Sequence, residues 1–539
     1  MTARPSRRTI LRAAATGLAA AALGVPPVTA RPGPLSTPGG LGTTDPALLS
    51  ALDAARLLQA KQLHPRELLD ACLRRSAAFD GPINSWIRTY PEEAYQQAEE
   101  AGRRLAAGDA PLLCGLPIAL KDLIAVAGLP VTACSRVLQG NIAAGDATVW
   151  RRMREQGAVL IGHTQNDEFA FDGACPQTGN PWDIGASVGG SSGGNAAVLA
   201  AGFAPLAIGT DTGGSLRLPS SRAGTSAIKP TYGQVSRYGV IPTTPSRDHI
   251  GPMARSIADA ALLLSALTGV DARDPATGSA AAVPAGGYPL TAAGGTAPLA
   301  GRVFGVDRPS VDQLPGPLGV LMSGFLDLIT RLGGRLRDIA LPPPPQSIFG
   351  DALEVGRYHQ QWADRLALYS PAAAATVGSG LAALVAPIEE YLTFEHERRR
   401  FQHDYNRVLT DNGLTAIVLP TVVNDRRDRA DIRPDTSAPL IWGNYSGAPV
   451  LALPAGRSAA TGLPFGVQLA GLPWSEPELI AIGLELQAAE PVWTELPELR
   501  EGPRALPDVV RSAPGPGPDP TDTIVRPAPA RFVPTRATS

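Results

Sequence analysis

Gly189-Gly190-Ser191-Ser192-Gly193-Gly194-Asn195 is followed, a short stretch later, by Gly209-Thr210-Asp211-Thr212-Gly213-Gly214-Ser215. Glycine allows backbone N–H groups to approach a ligand closely and to adopt positive φ. Each segment also carries serine hydroxyls beside those exposed donors. A nucleophilic oxygen next to a cradle of N–H groups is what acyl transfer requires. Glycine-serine runs are commonly linkers. These two are embedded in apolar sequence instead, Ala196-Ala197-Val198-Leu199-Ala200-Ala201 after the first and Pro205-Leu206-Ala207-Ile208 before the second.

Outward from these segments, short apolar runs alternate with helical periodicity. Gly115–Leu120 reads as a buried strand that delivers Lys121-Asp122, and Ala158–Gly162 as another. Further strands are expected at 302–306, 335–341, 415–420, 450–454 and 465–470. Helices are expected from Asp45 onward, after a capped start at His64-Pro65-Arg66-Glu67, and over 91–107, 254–267 (amphipathic), 316–333 and 478–489. The strand–helix–strand run from 302 to 341 reads as a βαβ unit, and 270–300 as a surface excursion. The alternation predicts an α/β protein with one catalytic domain over residues 45–500.

The 539 residues are 44% hydrophobic with a net charge of −2, enough for a large core and without the basic excess of a nucleic-acid binder. The four cysteines (Cys72, Cys114, Cys134, Cys175) read as buried thiols rather than a disulfide framework, an incidental disulfide being the alternative. The six histidines are scattered without metal-ligand spacing, so neither metal nor cofactor is expected. At the N-terminus, Ser6-Arg7-Arg8-Thr9-Ile10-Leu11-Arg12 precedes an Ala/Gly/Leu stretch and Pro26-Pro27-Val28-Thr29-Ala30. Adjacent arginines, a short apolar run and small residues resemble a twin-arginine export signal over 1–30, with a mobile leader at 31–44. The apolar run is too short for a stable membrane anchor. Beyond residue 500 the proline-rich sequence to 539 reads as a disordered tail.

Lys121 is an unusual residue at the end of an apolar strand. Desolvation can lower a lysine pKa far enough for it to act as a neutral base. Pairing with adjacent Asp122 is the other reading, and position alone favours it. The ordered set of motifs adds to this. Gly115-Leu116-Pro117-Ile118-Ala119-Leu120-Lys121-Asp122, both glycine-serine segments, Asp167-Glu168-Phe169, Asn180-Pro181-Trp182-Asp183, Ile228–Gly233, Gly251–Arg255, Gly443–Pro449 and Gly462–Leu469 follow one another. Together they resemble the amidase signature family of serine hydrolases, across residues 45–490.

The resemblance implies a large mixed twisted sheet flanked by helices on both faces, and hydrolysis of a small-molecule carboxylic amide. It implies Ser215 as nucleophile, Lys121 as ultimate base and Ser191, behind a cis peptide bond, as the proton relay between them. The N–H groups of Thr212, Gly213, Gly214 and Ser215 would form the oxyanion hole. Ser192 and Asp211 would brace the loops, and Arg217 would support structure. His249 is then not needed as a base, His163 stands where relatives often carry lysine, and Asn195 is expected to cap the following helix. Residues 345–400, with Leu353, Trp362 and Leu366, suggest either an apolar acyl pocket or ordinary helix packing.

The export pattern favours a secreted amidase. The alternative is the amide-hydrolysing component of a tRNA-dependent amidotransferase, to which Asp167-Glu168-Phe169 and Pro230–Tyr238 are similar. A non-catalytic relative is disfavoured by the intact Lys121, Ser191 and Ser215. No oligomeric state is specified. A reporter fused to residues 1–44 is expected to be exported, and Arg7→Lys with Arg8→Lys to abolish export. Cytoplasmic retention of the unaltered fusion would remove the export reading.

Overall fold

The computed structural model describes residues 45–108, 110–345, 349–433, 438–504 and 506. The residues read as an export signal and leader (1–44), and those beyond 506, lie outside the described residues. In chain order the strands are β1 (Trp86–Thr89), β2 (Pro117–Lys121), β3 (Val159–Thr164), β4 (Gly179–Asn180), β5 (Asp183–Ser187), β6 (Leu206–Asp211), β7 (Ser226–Lys229), β8 (His249–Ala254), β9 (Val303–Asp307), β10 (Arg335–Ile339), β11 (Ala416–Pro420), β12 (Val450–Arg457) and β13 (Pro464–Ala470). Eleven of them form one mixed sheet in the order β1-β3-β2-β6-β8-β7-β12-β13-β11-β9-β10, while β4 and β5 pair separately. Helices cover both faces, the α/β architecture expected from the alternation.

The parallel trio β3-β2-β6 is buried along its whole length, which explains its continuous apolar runs. Its register sets the site. Leu120 pairs with Ile208, so the strand ends carrying Lys121 and Gly209-Thr210-Asp211 emerge side by side. The expected βαβ unit is present: β9 and β10 are parallel and joined through the helix Gly316–Arg331. His64 caps Pro65–Ile83 as expected, its ring accepting from Arg66 N at 3.2 Å while Glu67 accepts from His64 N at 2.9 Å.

Strands β1 and β4 to β8 lie outside those expected from the sequence, and one expected helix differs in character. Strand β8 lies in the middle of the sheet although it contains a proline, which lacks a backbone N–H. It is tolerated because the β7 ladder covers only Met253 and Ala254, so the missing Pro252 N–H leaves no gap on that side. Gly251 is required there, since a Cβ would lie 2.3 Å from the Ile228 carbonyl oxygen. The helix expected to be amphipathic over 254–267 spans Ile257–Leu267 and is apolar nearly all round. Both faces are covered, making it a core helix.

Residues 349–411 form the helices Phe349–His359, Pro371–Ala383 and Ile388–Asp411 with a 3-10 segment, Gln360–Leu368, between the first two. Val355, Tyr369 and Val377 pack on Leu123, Val137 and Phe169, the ordinary helix packing that was one of the two readings. No single helix among the described residues is long and apolar enough to cross a membrane. All four cysteines are free thiols, three of them buried and Cys134 partly so.

Gly251→Ala is expected to lower stability by about 1–3 kcal/mol, the typical cost of overpacking a core, read by urea denaturation. An unchanged unfolding midpoint would mean that the Ile228 backbone yields.

Candidate active site

The site grows from three chain segments that the sheet register brings together. Lys121 is fully buried at the end of β2, with Nζ 2.6 Å from Ser191 Oγ and 2.7 Å from Thr210 Oγ1. It does not pair with its neighbour Asp122, whose carboxylate instead takes Arg88, the Thr132 hydroxyl and N–H, and the Cys134 N–H. The bland reading of Lys121 as a strand-end ion pair therefore fails. Burial pulls its pKa down to about 7, a fall opposed by the more distant carboxylates of Asp167 and Asp211. Asp167 moves the other way, to about 8, because burial and then Asp172 disfavour its charged form.

Ser191 follows a cis Gly190–Ser191 peptide bond, as the resemblance implied. Its carbonyl accepts from Asp167 N at 3.2 Å, and Ser192 Oγ donates to the Thr210 carbonyl at 3.2 Å. Ser192 thus braces the two glycine-serine segments against each other. Ser215, 7% exposed, is more open than the fully buried Lys121 and Ser191. Its Oγ makes no hydrogen bond among the described residues.

Asp211 organises the second segment. Its carboxylate accepts from Gly214 N at 2.8 Å, Leu216 N at 3.1 Å and Asn444 Nδ2 at 2.8 Å. Arg217 adds Nε and Nη2 at 3.0 and 3.1 Å. Burial alone would raise the Asp211 pKa, but Arg217 overrides it and holds the carboxyl well below the usual range. Arg217 is itself fully buried and also donates to Gln468 Oε1 at 2.5 Å and Asn444 Oδ1 at 2.6 Å, a supporting residue as expected.

This network bears on one of the four donors expected for the oxyanion hole. The Gly214 N–H is directed at Asp211, while the N–H groups of Thr212, Gly213 and Ser215 have no hydrogen-bond partner among the described residues. The two glycines consequently have different reasons. A Cβ on Gly213 would meet nothing within 4 Å, so that space is free for a ligand. Gly214 has φ +122°, and a Cβ there would press on Leu440 at 2.9 Å.

Asn195 corrects an expectation. It lies inside the buried helix Gly193–Ala201 rather than capping it, bonded to the Thr164 hydroxyl and donating to the Ile208 carbonyl at 2.9 Å. It bridges β3 and β6. His163 and His249 are both buried and bonded to neighbouring groups. His163 lies between Tyr90 OH (2.8 Å) and the Ile124 carbonyl (2.9 Å). His249 Nδ1 is turned to the Arg247 carbonyl at 2.6 Å, and burial followed by nearby Lys229 drives its pKa well down. No three His, Cys, Asp or Glu side chains gather as metal ligands among the described residues.

The Amidase family profile matches residues 67–348. The chain belongs to the amidase family. Its members hydrolyse C–N amide bonds, and this chain is an enzyme of that kind. The A-type subunit of the glutamyl-tRNA(Gln) amidotransferase from Geobacter sp. (strain M21) is 32% identical over 462 residues, covering 78% of this chain and 93% of the relative. The native peptide amidase from Stenotrophomonas maltophilia superposes with a TM-score of 0.71 at 28% identity, over 85% of this chain and 98% of that one. A chain from a vestigial complex described as revealing the origins of an s-triazine catabolic enzyme gives a TM-score of 0.73 at 27% identity, over 84% and 100%.

Within this amidase site, sequence reasoning missed Thr210, Asn444 and Gln468 as working parts. Gln468 carried a signal, a lone amide inside the apolar run Phe465–Ala470, because such a group must find partners when buried. Asn444 lay in a quoted motif without an assigned role. Thr210 depends on the β2–β6 register and has no local signal. Arg217→Ala is expected to cost about 3–5 kcal/mol, since it strands a buried carboxylate. A loss below about 1 kcal/mol in chemical denaturation would show that Asn444 and the backbone suffice to hold Asp211.

Proposed function

We propose that the chain hydrolyses a carboxylic amide through an acyl-enzyme on Ser215, with Ser191 as relay and Lys121 as base. The observation that carries this is the 2.6 Å contact between a fully buried lysine amine and the Ser191 hydroxyl. A neutral Lys121 has a lone pair for the Ser191 proton while one of its N–H groups donates to Thr210. As Ser191 passes its proton to Lys121, it takes the proton of Ser215, whose Oγ attacks the amide carbonyl carbon. The N–H groups of Thr212, Gly213 and Ser215 face the oxyanion that forms. Collapse breaks the C–N bond, and the leaving amine receives the proton back from Lys121 through Ser191. Water then takes the place of Ser215 in the same cycle and releases the acid.

Among finer readings, the names of the curated relatives support an enzyme of the amidotransferase A type, releasing ammonia from an amide such as glutamine and working with partner chains. The second reading, a secreted free-standing amidase, is favoured by Ser6–Arg12. Glutamine hydrolysis by the purified chain supports the first. Hydrolysis of aryl or fatty-acyl amides with glutamine untouched supports the second.

Ser215→Ala is expected to abolish turnover and labelling by a serine-directed fluorophosphonate. An unlabelled wild-type chain, inert across a broad amide panel, would overturn the mechanism. The rate is also expected to follow Lys121: kcat/KM rises as pH passes upward through about 7, where the amine loses its proton, and levels above it. A profile flat from pH 5.5 to 8.5 would exclude a lysine base.

A further inference from the structure

The nucleophile loop is held by a second carboxylate that the mechanism does not use. Asp248 is buried just before β8 and accepts the Thr212 hydroxyl at 2.6 Å on Oδ1. The same carboxylate takes the backbone N–H of Thr243 at 2.9 Å and of Thr244 at 3.1 Å. Thr243 in turn donates its hydroxyl to the Phe169 carbonyl at 2.9 Å. Phe169 lies two residues from Asp167, whose N–H is bonded to the Ser191 carbonyl at 3.2 Å. Followed in order, these bonds run from the Ser191 backbone around one side of the site to the residue that offers the first oxyanion donor.

The two carboxylates divide the loop between them. The Asp211 carboxylate fixes Gly214 and Leu216, while its carbonyl, in one peptide plane with the Thr212 N–H, accepts from Asn444 Nδ2 at 3.1 Å. Gly213 lies between, with open space above it and no side chain to anchor it. The Thr212 hydroxyl on Asp248 holds the far side of Thr212, and with it the next peptide unit, which carries the Gly213 N–H.

Resting on the proposed Ser215 mechanism, we infer that Asp248 is a positioning residue, which through the Thr212 hydroxyl and the Thr243–Phe169 contact sets the oxyanion donors relative to the relay serine. Buried hydrogen bonds to a carboxylate are short and directional. A reacting geometry displaced by as little as 1 Å loses about 100-fold in rate. The residue touches no reacting atom, so its effect belongs in kcat rather than in substrate affinity.

The test compares Asp248→Ala, Asp248→Asn and Thr212→Val, with kcat expressed per active site counted by end-point fluorophosphonate titration. Asp248→Ala and Thr212→Val are each expected to lower kcat per titrated site about 10- to 100-fold, with KM within about two-fold of wild type. Asp248→Asn keeps an acceptor for the Thr212 hydroxyl and is expected to recover most of that loss. The double variant Thr212→Val/Asp248→Ala is expected to be no slower than Asp248→Ala alone, because the contact that Thr212→Val removes is already lost there. Three results would overturn the inference: unchanged kcat per titrated site in Asp248→Ala, a loss confined to KM or to the number of titratable sites, or multiplicative losses in the double variant. Failure of the mechanism itself reads differently, as a wild-type chain that the fluorophosphonate does not label.

Discussion

A buried lysine amine whose hydrogen bonds, among the described residues, go to two hydroxyls is the constraint on which the rest of this structure turns. An ammonium there would lie in a low-dielectric interior without a hydrogen-bonded carboxylate, so the neutral form gains ground and the pKa falls to about 7. The interior has to be built for this. The trio β3-β2-β6 is buried throughout, Arg88 draws Asp122 away from Lys121, and Ser191 and Thr210 supply contacts that stay neutral. An ion pair with Asp122 would have stabilised the ammonium and removed the base.

The opposite electrostatic choice is made at the end of the neighbouring strand. Asp211 is just as deeply buried but is kept ionised, because Arg217, Asn444 and two backbone N–H groups all point at it. Removing water around a charge is repaid only when its hydrogen-bonding capacity is filled. Burial favours the neutral form of one group, and the other is held charged against a loop. The glycines divide along the same line, since Gly213 leaves room for a ligand and Gly214 has a backbone conformation and a Leu440 contact that exclude a side chain.

Much of this was legible in the sequence. The βαβ unit, the β2 and β3 strands, the His64 cap and the surface helix at 91–107 follow from apolar periodicity and capping residues, which are local signals. β8 was not legible because it contains a proline, excused only by where the β7 ladder stops. The helix at 257–267 was misjudged in character because its polar-looking face, with Asp259, is covered by Leu52 of another segment. Asn195 was expected at a cap because its position after Gly194 fits one, yet the helix already begins at Gly193 and the side chain bridges two strands.

For the site, Lys121, Ser191 and Ser215 could be named from the sequence because their chemistry depends on residue type in a recurring order. Ser192, Asp211 and Arg217 were named as supports, and each is hydrogen-bonded within the two glycine-serine segments. What the sequence by itself determined is therefore the inventory: hydroxyls, an amine, glycine-rich backbone and the strands that carry them. Tertiary structure decided which partner each group takes. Lys121 turns to Ser191 rather than Asp122, Gly214 gives its N–H to Asp211 rather than to the open site, and Thr212 leans on Asp248. The physical reason is that hydrogen-bond direction and desolvation depend on sheet register and on side chains distant along the chain, and neither is encoded within a motif.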